Sequence, residues 1–168
     1  VSLEDVEKAV RDLKTTNIVS CPVIPVLVPG IVAADALDAN DCMGTIVQVN
    51  VPKRGVIVSA TLFDIDDEGT QIDLEIFVHP IAQIANDAAW APTDADIIHF
   101  LTELAFVSFD DHVNNQTSDI TAINKAYVAP EGKFYIQAVT RSTPTIAAGA
   151  SPRFHLQIQS FDPEFVEV

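Results

Sequence analysis

The chain of 168 residues is short of basic side chains: 9 lysines and arginines face 24 acidic residues, for a formal net charge of −15. Nucleic-acid affinity rests on Lys and Arg neutralising phosphates. Here they are scattered, with Lys53-Arg54 the only adjacent pair, so direct binding to DNA or RNA is not expected. A membrane partner is not expected either, because no apolar run reaches the roughly 18 residues that a spanning helix needs. The acidic, amphipathic start "VSLEDVEKAV" lacks the pattern of a secretory signal. Cysteine is nearly absent. Cys21 and Cys42 fit neither a zinc spacing nor a disulfide-rich scaffold, and read as reduced thiols unless two strands bring them together.

Catalytic signatures are missing as well. There is no G-x-S-x-G elbow, no phosphate loop and no G-x-G-x-x-G. Of the four histidines, His79, His99, His112 and His155, no two have the helical spacing of a zinc motif and none neighbours a cysteine. Asp94 with Asp96, or Asp110 with Asp111, would serve as a glycosidase pair only at a set separation across a cleft. Asp94 and Asp96 are better explained by the first turn of a helix, where negative charge is favoured. The sequence assigns no catalytic residue, no metal ligand and no cofactor, and the chain reads as a non-enzyme.

What is present is alternation. With 48% apolar and 20% charged residues, the chain suits one domain with a sizeable core. "TIVQVNV" places Val47, Val49 and Val51 on one side and Gln48 and Asn50 on the other. "QIDLEIFV" does the same with Ile72, Leu74, Ile76 and Val78 against Asp73 and Glu75. "PRFHLQIQS" sends Phe154, Leu156 and Ile158 inward and Arg153, His155, Gln157 and Gln159 outward. "GKFYIQAVTR" is a strand opened by Gly132, and another strand is expected around Ile120 to Val128. Period-two segments separated by turn chemistry predict a mainly β fold, an antiparallel sandwich or barrel-like single domain.

Two short helices accompany it. Ser2 and Asp5 form a capping arrangement ahead of Leu3, Val6, Val10 and Leu13 at helical spacing. Thr93 caps a second short helix near residues 94–100. Between the first helix and the strands, "CPVIPVLVPGIVAA" is interrupted by Pro22, Pro25 and Pro29, and so reads as an extended arm or an edge strand. The layout expected is a helix and Pro-rich arm over 1–43, a β domain over 44–160 and an acidic tail over 161–168. The arm is expected to be removable without unfolding the β domain.

The stretch "DIDDEGTQIDLE" puts Asp64, Asp66, Glu68, Gly69 and Glu75 at positions 1, 3, 5, 6 and 12 of an EF-hand loop. An EF-hand needs helices on both sides, whereas both flanks here alternate at period two. The simpler reading is an antiparallel hairpin with an acidic tip, in which Gly69 supplies a positive φ. A different cation site that uses some of these carboxylates is the alternative.

Residues 79–100 lose the alternation and carry the only tryptophan, Trp90, which reads either as a plug under its loop or as part of a stacking surface. "NDAAWAPTDADIIHF", then a strand and a loop, then "YVAPEGKFYIQAV" and "TRSTPT", resembles small β-rich virion proteins of tailed bacteriophages, typically encoded near the major capsid protein. The resemblance covers approximately residues 44–160. It implies a capsid decoration or cement protein, a structural virion component assembled in the host cytoplasm and bound to the outer face of the head. The implied partner is the major capsid protein, bound across subunit junctions, with self-association into a dimer or trimer. The residues expected to contact partners are Val23, Ile24, Val26, Leu27 and Val28 of the arm, Trp90 of the loop, and Phe161 and Phe165 of the tail. The alternative is a carbohydrate- or receptor-binding module of a phage fibre, with Trp90, Phe77 and Tyr135 as its stacking surface.

Overall fold

The computed structural model describes residues 23–28 and 36–162. The expected N-terminal helix, Cys21 and Phe165 lie outside these residues. Among the described residues, ten strands form two antiparallel sheets, so the mainly β sandwich is the fold. The larger sheet joins β1 (Val23–Val28), β10 (Arg153–Ser160), β3 (Arg54–Asp64), β7 (Gln116–Ile120) and β6 (Asp110–Asp111) in that order, with β8 (Lys125–Val128) also paired to β3. The smaller sheet has the order β2 (Cys42–Asn50), β9 (Lys133–Thr140), β4 (Ile72–Phe77) and β5 (Phe100–Phe106). The short helix α1, Asp94–Ile97, starts where Thr93 was expected to cap it.

The core lies between the sheets and is built by the alternation. Phe154, Leu156 and Ile158 of β10 and Ile57 and Leu62 of β3 meet Leu74, Ile76, Leu104, Phe106, Phe134 and Ile136 of the smaller sheet, all of them buried. β3 keeps its core side only by breaking step once. Ile158 pairs with Ile57 and Gln157 with Ser59, which leaves Val58 as an extra residue. A bulge of this kind shifts the phase of one strand against its partner, and the buried residues of β3 accordingly move from Ile57 to Ala60 and Leu62.

Two sequence expectations are corrected. The acidic hairpin does not form, because β3 and β4 lie in different sheets. β3 has no free edge to offer: β10 takes one side, and β7 and β8 share the other. Residues 65–71 therefore cross from one layer to the other. Asp64 makes the crossing tight. Its buried carboxylate accepts from the backbone N–H groups of Asp66 (3.3 Å) and Gly69 (2.8 Å), and Gly69 has the anticipated positive φ of +59°. The second correction concerns the strand expected around Ile120 to Val128. It is two strands, β7 and β8, laid end to end along β3. Ala122 and Asn124 take left-handed conformations between them, and Ile123 N–H donates to the carbonyl of the bulged Val58.

Residues 23–28 of the proline-rich stretch take its edge-strand alternative. β1 pairs antiparallel with β10, register Ile24 to Ile158, Val26 to Leu156 and Val28 to Phe154. Pro25 sits within it, which a sheet tolerates at its edge. Residues 23–28 are thus part of the sheet, and removing them with the arm would strip β10 of one of its two neighbours.

Gly55 marks the closest packing within β3. A Cβ added there would lie 2.6 Å from the Gln159 carbonyl oxygen and 3.0 Å from the Tyr127 hydroxyl. Backbone cannot yield as a flexible side chain does, so Gly55→Ala is expected to cost about 1–3 kcal/mol. The measurement is urea denaturation, and an unchanged midpoint would show that the strands separate freely.

Candidate functional site

The outer face of the smaller sheet carries the densest polar chemistry. Asp73 and Glu75 point away from the core, as their alternation requires, yet they are only 1% and 5% exposed. A buried carboxylate needs a partner, and Arg141, immediately after β9, supplies it. Its Nε donates to Asp73 Oδ2. Its Nη2 donates to Glu75 Oε1 (2.9 Å) and Glu103 Oε2 (3.1 Å), and its Nη1 to Asn40 Oδ1 (3.2 Å). Register puts the acids in reach, because Glu75 pairs directly with Glu103 across the β4–β5 ladder. One guanidinium therefore spans the sheet, from the residues leading into β2 to the edge strand β5.

One cation cannot neutralise three carboxylates. Burial, reinforced by Glu103, pushes the Glu75 carboxyl up to about 7, and Arg141 only partly offsets this. Beside this network lies the buried free thiol of Cys42, which burial and neighbouring Asp41 push up to about 11. Such a thiol is an inert packing group rather than a nucleophile.

The long loop between β4 and β5 folds over one end of the same sheet and is pinned along its length. Ala88 accepts from Cys42 N–H (2.9 Å), Asp87 N–H donates to Cys42 O (3.0 Å), and Trp90 N–H donates to Asn40 O (2.8 Å). Asn86 Oδ1 accepts from Gly44 N–H at 2.6 Å. The half-buried Trp90 ring meets Phe77 edge to face at 6.0 Å, and Phe77 meets Phe100 at 5.5 Å. At the stem, Val78 N–H donates to His99 O (3.1 Å) and the His79 and His99 rings lie 4.8 Å apart. His79 also stands 3.7 Å from Glu131, which accepts from the Tyr135 hydroxyl at 2.6 Å.

The loop ends in a capping box. Thr93 Oγ1 accepts from Asp96 N–H, and the Asp96 carboxylate accepts from Thr93 N–H and, across the loop, from Ala82 N–H (3.0 Å). These bonds hold Asp96 below the ordinary carboxylate range, with the Thr93 side chain the largest cause. Beyond the cap, Ile97, Ile98 and Phe100 are 47%, 75% and 38% exposed. A four-residue helix with no buried residue offers them no core to enter. The result is an apolar projection on a rigid base.

The sequence-chosen contact residues do not converge on one surface. Val23, Ile24, Val26, Leu27 and Val28 form β1, at the far edge of the larger sheet. Trp90 belongs to the pinned loop. Phe161 is exposed just past β10, with its N–H bonded to Arg54 O. The aromatic trio proposed for stacking is not a surface either, because Phe77 and Tyr135 are buried. Ile97, Ile98 and Phe100 are not among the sequence-chosen contact residues. Their signal was legible: an apolar "IIHF" run behind a capping box, too short for an amphipathic helix. Among the described residues no cluster of three or more His, Cys, Asp or Glu is arranged to hold a metal ion. The carboxylates of the EF-hand-like stretch have other tasks: Asp64 closes its own turn, Asp66 accepts from Ala147 N–H (2.6 Å), and Glu75 belongs to Arg141.

Glu75 gives the site a pH signature. An acid whose folded pKa exceeds its unfolded value keeps its proton longer in the folded state. Its contribution to stability is complete below the ordinary 4.5 and is lost as pH rises towards about 7. Glu75→Gln, which cannot ionise, is expected to flatten the decline between pH 4.5 and 7 and to be more stable than wild type at pH 8. Denaturation midpoints of both proteins at pH 5, 6, 7 and 8 check this, and parallel curves would contradict it. No protein-family model, curated protein or solved structure matches the chain.

Proposed function

We propose that this protein is a capsid decoration, or cement, protein that binds the outer surface of a tailed-phage head and stabilises it across capsid-subunit junctions. The observation that carries the reading is the projection formed by Ile97, Ile98 and Phe100 on a loop tied to the sheet along its length. Exposed apolar groups on a rigid base suit a protein whose work is adhesion, since little ordering entropy remains to be lost on binding. The projection ends the segment "NDAAWAPTDADIIHF", the part of the sequence in which the resemblance to phage head proteins is densest.

Charge agrees with this placement. A net −15 is tolerable outside a shell and unfavourable within one packed with DNA, whose phosphates would repel it. The major capsid protein is the partner this reading requires, and many copies on symmetric junctions favour a homo-oligomer. Each site would add buried apolar area where neighbouring subunits meet, and that added area opposes their separation under internal pressure.

Because β1 belongs to the larger sheet, deleting the N-terminal arm would mix folding with binding. A point change at the projection separates them. Ile98→Asp is expected to keep its melting temperature, because Ile98 is solvated, and to lower occupancy on purified tail-less heads by tenfold or more, on the order of what losing a well-buried interface anchor costs. Heads carrying the variant should lose thermal or osmotic resistance in proportion. Full occupancy by Ile98→Asp and by the double variant with Ile97→Asp would refute the projection as the contact. Absence of the wild-type protein from mature heads would refute the function.

A further inference from the structure

The opposite side of the sandwich holds a groove of about 420 Å³ on the outer face of the larger sheet. Its floor is Phe63, packed edge to face against His155 with ring centroids 4.9 Å apart. Register explains the assembly. Arg153 pairs with Phe63 on one side and Thr117 pairs with it on the other, so three adjacent strands each contribute a side chain to one row. Asn115, just before β7, forms the wall; Gln116, the first residue of β7, also borders the groove, with its side-chain amide packed against Gly69.

Thr117 is engaged, its hydroxyl 3.1 Å from His112 Nε2, but other polar groups here are unused. Among the described residues, the side chains of Arg153, Asn115 and Gln116 take part in no hydrogen bond or ion pair. Arg54 and Arg141 are both paired with carboxylates, so Arg153 stands out as an uncommitted guanidinium. Asp64 also lines the groove, but it is buried and its carboxylate is held by the Gly69 and Asp66 N–H groups.

We propose that this groove is a binding site for an acidic saccharide, a ring sugar bearing a carboxylate. An aromatic floor suits the apolar face of a sugar ring, and the Asn115 amide offers both donors and acceptors to its hydroxyls. The Arg153 fork matches a carboxylate with two parallel hydrogen bonds. The volume falls within the roughly 300–1,000 Å³ of small-molecule sites. A peptide strand fits less well, because β10 and β3 have neighbours on both edges and leave no open ladder at the groove for a peptide backbone to join. The site is independent of capsid attachment: it lies on the other sheet from the loop that bears Ile97 and Ile98.

Saturation-transfer NMR titrations of the full chain test it, with glucuronate and N-acetylneuraminate as acidic sugars and glucose and lactose as neutral ones. An acidic sugar is expected to bind, with its ring protons saturated by Phe63, and to bind more tightly than the neutral sugars. Arg153→Met should weaken that binding roughly tenfold or more, as the loss of a charge-assisted pair does, and leave the fold intact because Arg153 is solvent-exposed. Phe63→Ala, with folding verified by circular dichroism, should remove the ring-proton saturation. Absence of binding, equal binding of neutral sugars, equal binding of acetate, or an unaffected Arg153→Met protein would each overturn the proposal.

Discussion

β4 is covered on both faces, and much of the smaller sheet follows from that. One side of the strand, Ile72, Leu74 and Ile76, belongs to the core. The other presents Asp73 and Glu75 where solvent would normally receive them, but the Arg141 side chain and the surrounding chain close over that face. Two buried acids on a central strand would be intolerable without a cation. Arg141 answers this and in doing so links Asn40, Asp73, Glu75 and Glu103, which belong to three different parts of the chain. The sheet's order, the path of the chain after β9 and the position of the long loop beside β2 are therefore mutually dependent. The excess acid in the cluster gives the protein a sensitivity to pH that its overall composition would not suggest.

Much of the fold was legible in the sequence because burial follows side-chain period. Val49, Leu74, Ile76, Phe154, Leu156 and Ile158 are where alternation puts them. Pairing was not legible, because period says which way a residue faces and nothing about which strand lies next to it. The hairpin expected at Asp64–Gly69 failed for this reason: the local turn chemistry was correct, including the positive φ at Gly69, yet β3 already had both edges occupied. The clasp was hidden in the same way. Asp73 and Glu75 have an ordinary outward pattern, and only the register that brings Glu103 opposite Glu75 makes them part of a network. Val58 shows the smaller version of this limit, since one bulged residue reverses the phase that alternation assigns to the rest of β3.

The candidate contact residues were chosen by apolar composition, and that choice favours residues the fold has already used. Trp90 is engaged with Phe77, and the proline-punctuated segment is engaged with β10. Ile97 and Ile98 are on display, held out by a helix too short to bury them, with Phe100 beside them at the start of β5. Most of the amphipathic surface of the larger sheet is ordinary outward-facing strand; the exception is the row Arg153, Phe63 and Thr117. The two outer faces thus differ in kind. One is locked internally by ion pairs and offers an apolar projection at its end, and the other leaves polar side chains free around an aromatic floor.

Pro25 in β1 has a consequence for behaviour in bulk. An outermost strand is a template on which identical chains can stack by backbone hydrogen bonding, and an apolar hexapeptide such as Val23–Val28 is the composition that nucleates fibrils. A proline at its middle deletes one donor from that template and fixes a φ that neighbouring strands cannot copy freely. Together with the mutual repulsion of a −15 surface, it should keep concentrated stocks of this protein from gelling or seeding amyloid, even though β1 is among its most apolar segments.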